Sequence, residues 1–215
     1  MTEGEFRHLL EETRKAFEIS YIKQFAEGQC PKLEWYYSVC ATRIEPERLF
    51  ILGFNWGAKD GECYCPQKNY PSESFMELGY NELGSLDRVK PWLSKYLPEK
   101  DLKEIGQSNF CFFRSKRADQ ITSHDRKLCH PLISKLINMA RPKTIIGLSA
   151  QLRDHLLPSC QSVKTHDLMF ERGAIKVTYK IAKGEFKSIP ICFLPHPAYR
   201  LPKQKVEEAW SFCLP

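Results

Sequence analysis

No Cys-x-x-Cys pair occurs anywhere in the 215 residues, although nine cysteines are present. An odd number of thiols, several inside apolar segments (Cys111, Cys192), argues for reduced core cysteines rather than a disulfide framework. Cys63-Tyr64-Cys65 is the one close pair, and as half of a metal site it would need Cys129 and His130 from far along the chain, so no metal is assigned. No apolar run approaches the ~18 residues of a membrane span. The opening Met1-Thr2-Glu3-Gly4-Glu5 lacks the basic-then-apolar order of an export leader, so a cytoplasmic, nucleoid or nuclear location is expected, with no membrane partner. Neither charge sign dominates strongly: 32 Lys and Arg against 26 Asp and Glu give +6, which favours polyanions without naming one. No repeat or low-complexity tract is present, and 42% hydrophobic with 27% charged residues is ordinary globular usage, enough for one well-buried α/β domain over residues 1–215.

What is there is an alternation of apolar strands and amphipathic helices. Phe6, Leu9, Leu10, Phe17, Ile19, Ile22 and Phe25 suit a first helix, within a helical extension covering residues 1–47. Leu49-Phe50-Ile51-Leu52-Gly53-Phe54 reads as a buried parallel strand that feeds a long turn-rich loop from Ala58 to Ser74. A helical pattern over Phe75 to Leu97, broken by Gly84 and Pro91, precedes a second strand, Asn109 to Phe113, which ends in the basic run Arg114-Ser115-Lys116-Arg117. Ser123 opens a helix to Ala140, Thr144 to Leu148 is a third strand, and Ser149 starts another helix through Leu157. Gly173 and Gly184 punctuate β-branched segments between Val163 and Lys187, the pattern of a hairpin-like insertion. Ile189 to Leu194 is the last core strand, closed by Pro195-His196-Pro197, and a short helix follows over Lys203 to Phe212. Strand and helix in alternation mark the α/β class.

Three polar residues stand at strand ends: Asn55 after the first, Asn109 at the entry of the second and His196 after the last. Loops at the carboxyl ends of strands are where open α/β sheets bind ligands. Each residue alone has a plain explanation as a turn or surface residue. In order and context they resemble the uracil-DNA glycosylase superfamily, over Leu49 to Pro202. Gly53-Phe54-Asn55-Trp56-Gly57 is similar to the family's first motif in its mismatch-specific and single-strand-selective branches, with Trp56 in place of their Pro. Ser108-Asn109 through Arg114 and the stretch from Asp125 to Ser149 are similar to the thermophile-type, iron-sulfur branch. His196-Pro197-Ala198-Tyr199-Arg200 resembles that branch's second catalytic motif and is the most specific of the four segments. Phe113 stands where that branch has a cluster cysteine, so Cys129 has no partners and no iron-sulfur cluster or other cofactor is expected.

The resemblance implies a three-layer α/β/α fold around a central, mostly parallel four-stranded sheet. It also implies a DNA glycosylase of base excision repair that flips uracil or a related base out of DNA and hydrolyses its glycosidic bond; a monomer is the default expectation. An oxocarbenium-like sugar needs a water on the face opposite the leaving base and a stabiliser for the charge gathering on that base. Asn55 would orient the water through its carbonyl, and His196 would donate to the pyrimidine oxygen. Asn109, with donor and acceptor in one amide, would read the base edge. A flat floor would come from Tyr64 or Phe54, with Tyr70, Phe75 and Trp56 as further aromatic candidates. Tyr199 and Arg200 would belong to the DNA-intercalating loop, and Arg114, Lys116, Arg117 and Arg126 would contact phosphates. Two other readings stay open: a binding module of the same fold that has lost its catalytic geometry, and a hydrolase or transferase of a small nucleotide.

Overall fold

A computed structural model of the chain describes residues 1–23, 37–58 and 67–214. Helix α1 (Glu3–Glu18) starts at Thr2, whose hydroxyl accepts from the Glu5 amide while the Glu5 carboxylate takes the Thr2 N–H, a reciprocal capping box. Phe6, Leu9, Thr13 and Phe17 are buried along one stripe of this helix. The helix ends at Glu18, with Ile19 as its C-cap, short of the expected Phe25; residues 24 and 25 lie outside the described residues. The segment from Tyr37 to Thr42 is not helical. It lies antiparallel along β2 (Gly106–Ser115), with Ser38 N–H donating to Phe112 and Ala41 N–H to Gln107. It thereby covers an edge that would otherwise present free backbone groups.

The sheet has six strands in the order β2-β1-β3-β6-β5-β4. β1 (Leu49–Gly57) pairs in parallel with β2 and with β3 (Thr144–Leu148), and β3 pairs in parallel with β6 (Ile189–Leu194). These are the four strands expected from sequence. The expectation of a four-stranded sheet is nevertheless corrected. The inserted hairpin, β4 (Gln161–Arg172) and β5 (Ile175–Phe186), hydrogen-bonds to β6 in the antiparallel sense and extends the same sheet. The β5–β6 connection is only Lys187-Ser188, both at positive φ (52° and 62°), the primed turn whose twist forces consecutive strands to pair.

Apolar side chains alternate between two cores, as a sheet covered on both faces requires. Phe50, Leu52, Ile145 and Phe193 pack with α1, with α3 (Ser123–Ala140) and with α4 (Ala150–Leu156). Leu49, Ile51, Ile146, Leu148 and Leu194 face α2 (Lys90–Tyr96) and α5 (Lys203–Cys213). Opposite Asn55-Trp56 the β1–β2 register slips, so that Asn55 faces Cys111 while Trp56 faces Arg114. The extra residues on β2 let Cys111, Phe112 and Phe113 all enter one core. Six described cysteines are free, five of them buried. Cys129 meets Cys111 in the core, with 3.3 Å between the sulfurs. No described helix is long and apolar enough to cross a membrane.

Candidate functional site

Register places the candidate residues on one edge. Gly53 lies opposite Asn109, Leu52 opposite Gly147, and Leu148 opposite Leu194. Gly53, Asn109, Leu148 and Leu194 therefore form a row at the carboxyl ends of β3 and β6 and midway along β1 and β2, and Asn55, expected after the first strand, lies inside that strand, because β1 runs on to Gly57 beside the longer β2. Asn55 and His196 lie two residues beyond the row, separated by two strand spacings, about 10 Å.

Asn55 is held by its amide nitrogen. Nδ2 donates to the Trp56 carbonyl at 3.0 Å and to Ser115 Oγ at 2.7 Å, and Ser115 Oγ donates onward to the Arg117 carbonyl at 2.9 Å. A carbonyl only accepts, so the nitrogen must be the end facing Trp56. Oδ1 is left without a partner among the described residues, available to accept from a water. Asn109 is 5% exposed, and its side-chain amide makes no hydrogen bond among the described residues. It lies across the α-carbon of Gly53, where a Cβ would overlap Oδ1 and come within 3.1 Å of Cγ. Only glycine at position 53 admits the Asn109 amide in this place.

His196 sits in a turn closed by Tyr199 N–H donating to the His196 carbonyl at 2.8 Å, with Pro197 at the second position, where its fixed φ fits. His196 Nδ1 accepts the Ala198 N–H at 3.2 Å. In the neutral ring the proton must then be on Nε2, which makes that nitrogen a donor. Burial holds the imidazole below its ordinary pKa of 6.5, so the neutral form prevails at pH 7.

His196, Tyr199 and Arg200 line a cavity of about 250 Å³ with Leu148, Leu194, Trp92, Trp210 and Arg88. Neither Asn55 nor Asn109 is in its wall. The structure thus brings the three polar candidates to one edge, but only His196 into this cavity. Arg88, Trp92 and Trp210 carried no signal beyond helical spacing in the sequence; the cavity alone singles them out.

Other candidates are placed differently from expectation. Phe54 is 6% exposed and stacks on Phe110 with ring centroids 6.3 Å apart. It belongs to the core on the opposite sheet face from the cavity, so it cannot serve as its floor. Tyr64 lies outside the described residues, as do Cys63 and Cys65. Tyr70 is committed elsewhere, its hydroxyl bonding both the N–H and the carbonyl of Ile44. Arg114, expected at a phosphate, donates to Gly57 O and Ser38 Oγ and lies over the Trp56 ring at 5.7 Å, a clamp on the end of β1. Arg117 is exposed and paired with Asp119 at 2.9 Å, and Lys116 is also exposed. Arg126 donates to the Ile121 carbonyl. Tyr199 and Arg200 remain on the surface, Tyr199 at 36% exposure. Among the described residues no group of three His, Cys, Asp or Glu side chains is placed to hold a metal ion. The chain matches no protein-family model and no curated protein sequence.

Proposed function

We propose that the protein is a DNA glycosylase that hydrolyses the bond between deoxyribose and a damaged or deaminated base. The observation that carries this reading is the Asn55 amide, fixed by Ser115 and Trp56 with its oxygen free, on the same strand-end edge as a neutral His196 whose Nε2–H is a donor. Asn55 Oδ1 accepts from a water and aims its oxygen at C1′. As the C1′–N bond breaks, its electron pair leaves with the base. His196 Nε2–H stabilises the charge on the departing base's oxygen, the water oxygen bonds to C1′, and the water's proton is released. Asn55 is a weak base, so its contribution is orientation, and turnover is slow. Asn109 offers a donor and an acceptor to the base edge from a rigid strand.

The test is incubation with labelled single- and double-stranded oligonucleotides containing uracil, hypoxanthine, xanthine or a G·T mismatch, followed by alkaline cleavage at abasic sites. Cleavage of one substrate, lost in Asn55→Ala and His196→Ala with DNA affinity retained, is the expected result. Silence on every substrate with DNA binding intact replaces the glycosylase by a binding module. That second reading is favoured by the position of Asn55 and Asn109 outside the cavity that His196 lines.

A further inference from the structure

The β4–β5 ribbon does not end where the sheet does. The last β5–β6 pair is Ala182 with Phe193, while β4 and β5 stay paired out to Arg172 and Ile175. Residues 175–181 of β5 therefore continue past the carboxyl end of β6 for about 20 Å, at roughly 3.3 Å per residue. The projecting ribbon stands beside the His196 turn. Tyr199 contacts Tyr179 and Phe170 on it, with ring centroids 5.5 and 6.5 Å apart. Arg153 braces the ribbon base by donating to the Lys180 carbonyl and by lying over the Tyr179 ring.

A bare two-stranded ribbon gains little from folding this far from a core, and Met169 and Ile175 are each 68% exposed on it. Its charge is also biased: residues 161–187 carry six Lys and Arg against three Asp and Glu, whereas the rest of the chain carries 26 against 23. Several cations elsewhere are matched to carboxylates, such as Arg7 to Glu3, Arg14 to Glu11, Arg48 to Glu104 and Lys95 to Glu207. Arg172, Lys176 and Lys180 on the ribbon, and Arg200 on the neighbouring turn, make no ion pair among the described residues, although Asp167 and Glu171 lie opposite Lys180 and Lys176 in register. Unmatched cations on a projecting ribbon suit a polyanion, and the major groove of B-DNA admits a two-stranded ribbon.

We infer that this ribbon is a second DNA-engaging element, entering the major groove of the duplex beside the flipped nucleotide, with Arg172, Lys176 and Lys180 on backbone phosphates. The inference rests on the DNA reading of the His196 edge, but it concerns binding rather than bond cleavage. The full chain and the triple variant Arg172→Ala/Lys176→Ala/Lys180→Ala are titrated against a fluorescent undamaged duplex across a salt series. The control is Lys100→Ala/Lys103→Ala/Lys143→Ala, which removes the same charge from exposed sites toward the amino ends of the parallel strands. The ribbon variant is expected to bind about 10- to 100-fold more weakly near physiological salt. Its log–log salt slope should be shallower by about 2 to 3, close to 0.9 per lost phosphate contact, while the control stays within about threefold of wild type.

Equal losses in both variants, or none in the ribbon variant, overturn the inference. Absence of DNA binding by the wild type overturns it together with the glycosylase reading. If wild-type protein binds DNA but cleaves no modified base, and the ribbon variant alone binds weakly, the ribbon assignment stands and the glycosylase reading falls.

Discussion

Gly53→Ala tests whether the Asn109 amide is held where the candidate site needs it. Position 53 is a mid-strand residue without a positive φ, so backbone freedom does not explain the glycine. Alanine there would normally gain about 0.5–1 kcal/mol from reduced freedom of the unfolded chain. Against this, the new Cβ would occupy the space of Asn109 Oδ1 and lie 3.1 Å from Cγ. Asn109, at 5% exposure, must leave its rotamer in a packed site, an overpacking cost of about 1–3 kcal/mol. The net is a loss of up to about 2.5 kcal/mol, or up to roughly 10 °C in Tm for a chain of this size. Urea unfolding of wild type, Gly53→Ala, Asn109→Ala and the double variant completes a cycle. In the Asn109→Ala background the obstruction is gone and the alanine should become neutral or stabilising, a coupling of about 1–3 kcal/mol. A cost of Gly53→Ala that is the same in both backgrounds would refute the close approach as the reason for the glycine.

Ser115→Ala removes one of the two acceptors that orient the Asn55 amide; base release should slow by about 10- to 100-fold at unchanged DNA affinity, with Ser115→Thr restoring most of it, and a lower affinity at full rate in single-turnover assays would contradict the positioning role. Lys187 and Ser188 occupy left-handed backbone in a two-residue turn. The replacement Lys187→Asn/Ser188→Gly should therefore stabilise the protein by about 0.5–1.5 kcal/mol in chemical denaturation. His196 and His155 are both held below the ordinary histidine pKa, by burial first and, for His155, also by Arg126 and His130. Below pH 6.5 the unfolded chain therefore binds more protons than the folded one. Stability should fall from about pH 6.5 until the lowered folded values are passed, and His155→Gln should flatten that slope in a pH series of unfolding curves.

The four parallel strands were legible because each is a short apolar run ended by turn residues, and a sheet covered on both faces needs such runs. The hairpin was legible from Gly173 and from β-branched alternation, but its attachment to β6 was not. The pairing follows from a two-residue turn made by Lys187 and Ser188, neither of which is a typical residue for left-handed backbone. The extended segment at Tyr37 to Thr42 was read as part of a helical region because its partner, the outer edge of β2, is some 70 residues away in sequence. At the candidate site, Asn55, Asn109 and His196 stand out in the sequence by their places beside apolar strands and by the family resemblance, and register brings β1, β2 and the His196 turn together. Phe54 was misplaced as a floor because its neighbour Asn55 faces the other side of the sheet, the alternation any strand imposes. Arg114 was assigned to phosphate because charge at a strand end looks alike whether it meets solvent or, as here, Gly57, Ser38 and the Trp56 ring.

The end of β1 also concentrates polar groups that the protein leaves unanswered. Asn55 Oδ1 and the Asn109 amide make no hydrogen bond among the described residues, and of these groups Trp56 Nε1 is a buried atom without a partner. A buried polar group left in this condition costs about 1–3 kcal/mol unless a water or ligand takes it up. The neighbouring backbone shows that satisfaction was available here: Ser115 both accepts and donates, and Arg114 bridges two segments. The register slip opposite Asn55-Trp56 adds a further local cost by interrupting the ladder between the two central strands. A fold maintained for packing alone would gain by replacing Asn109 with an apolar residue and Trp56 with one that has no donor. Their presence together, on the edge that also carries a neutral and oriented His196, fits groups kept for a molecule that arrives there with its own donors and acceptors.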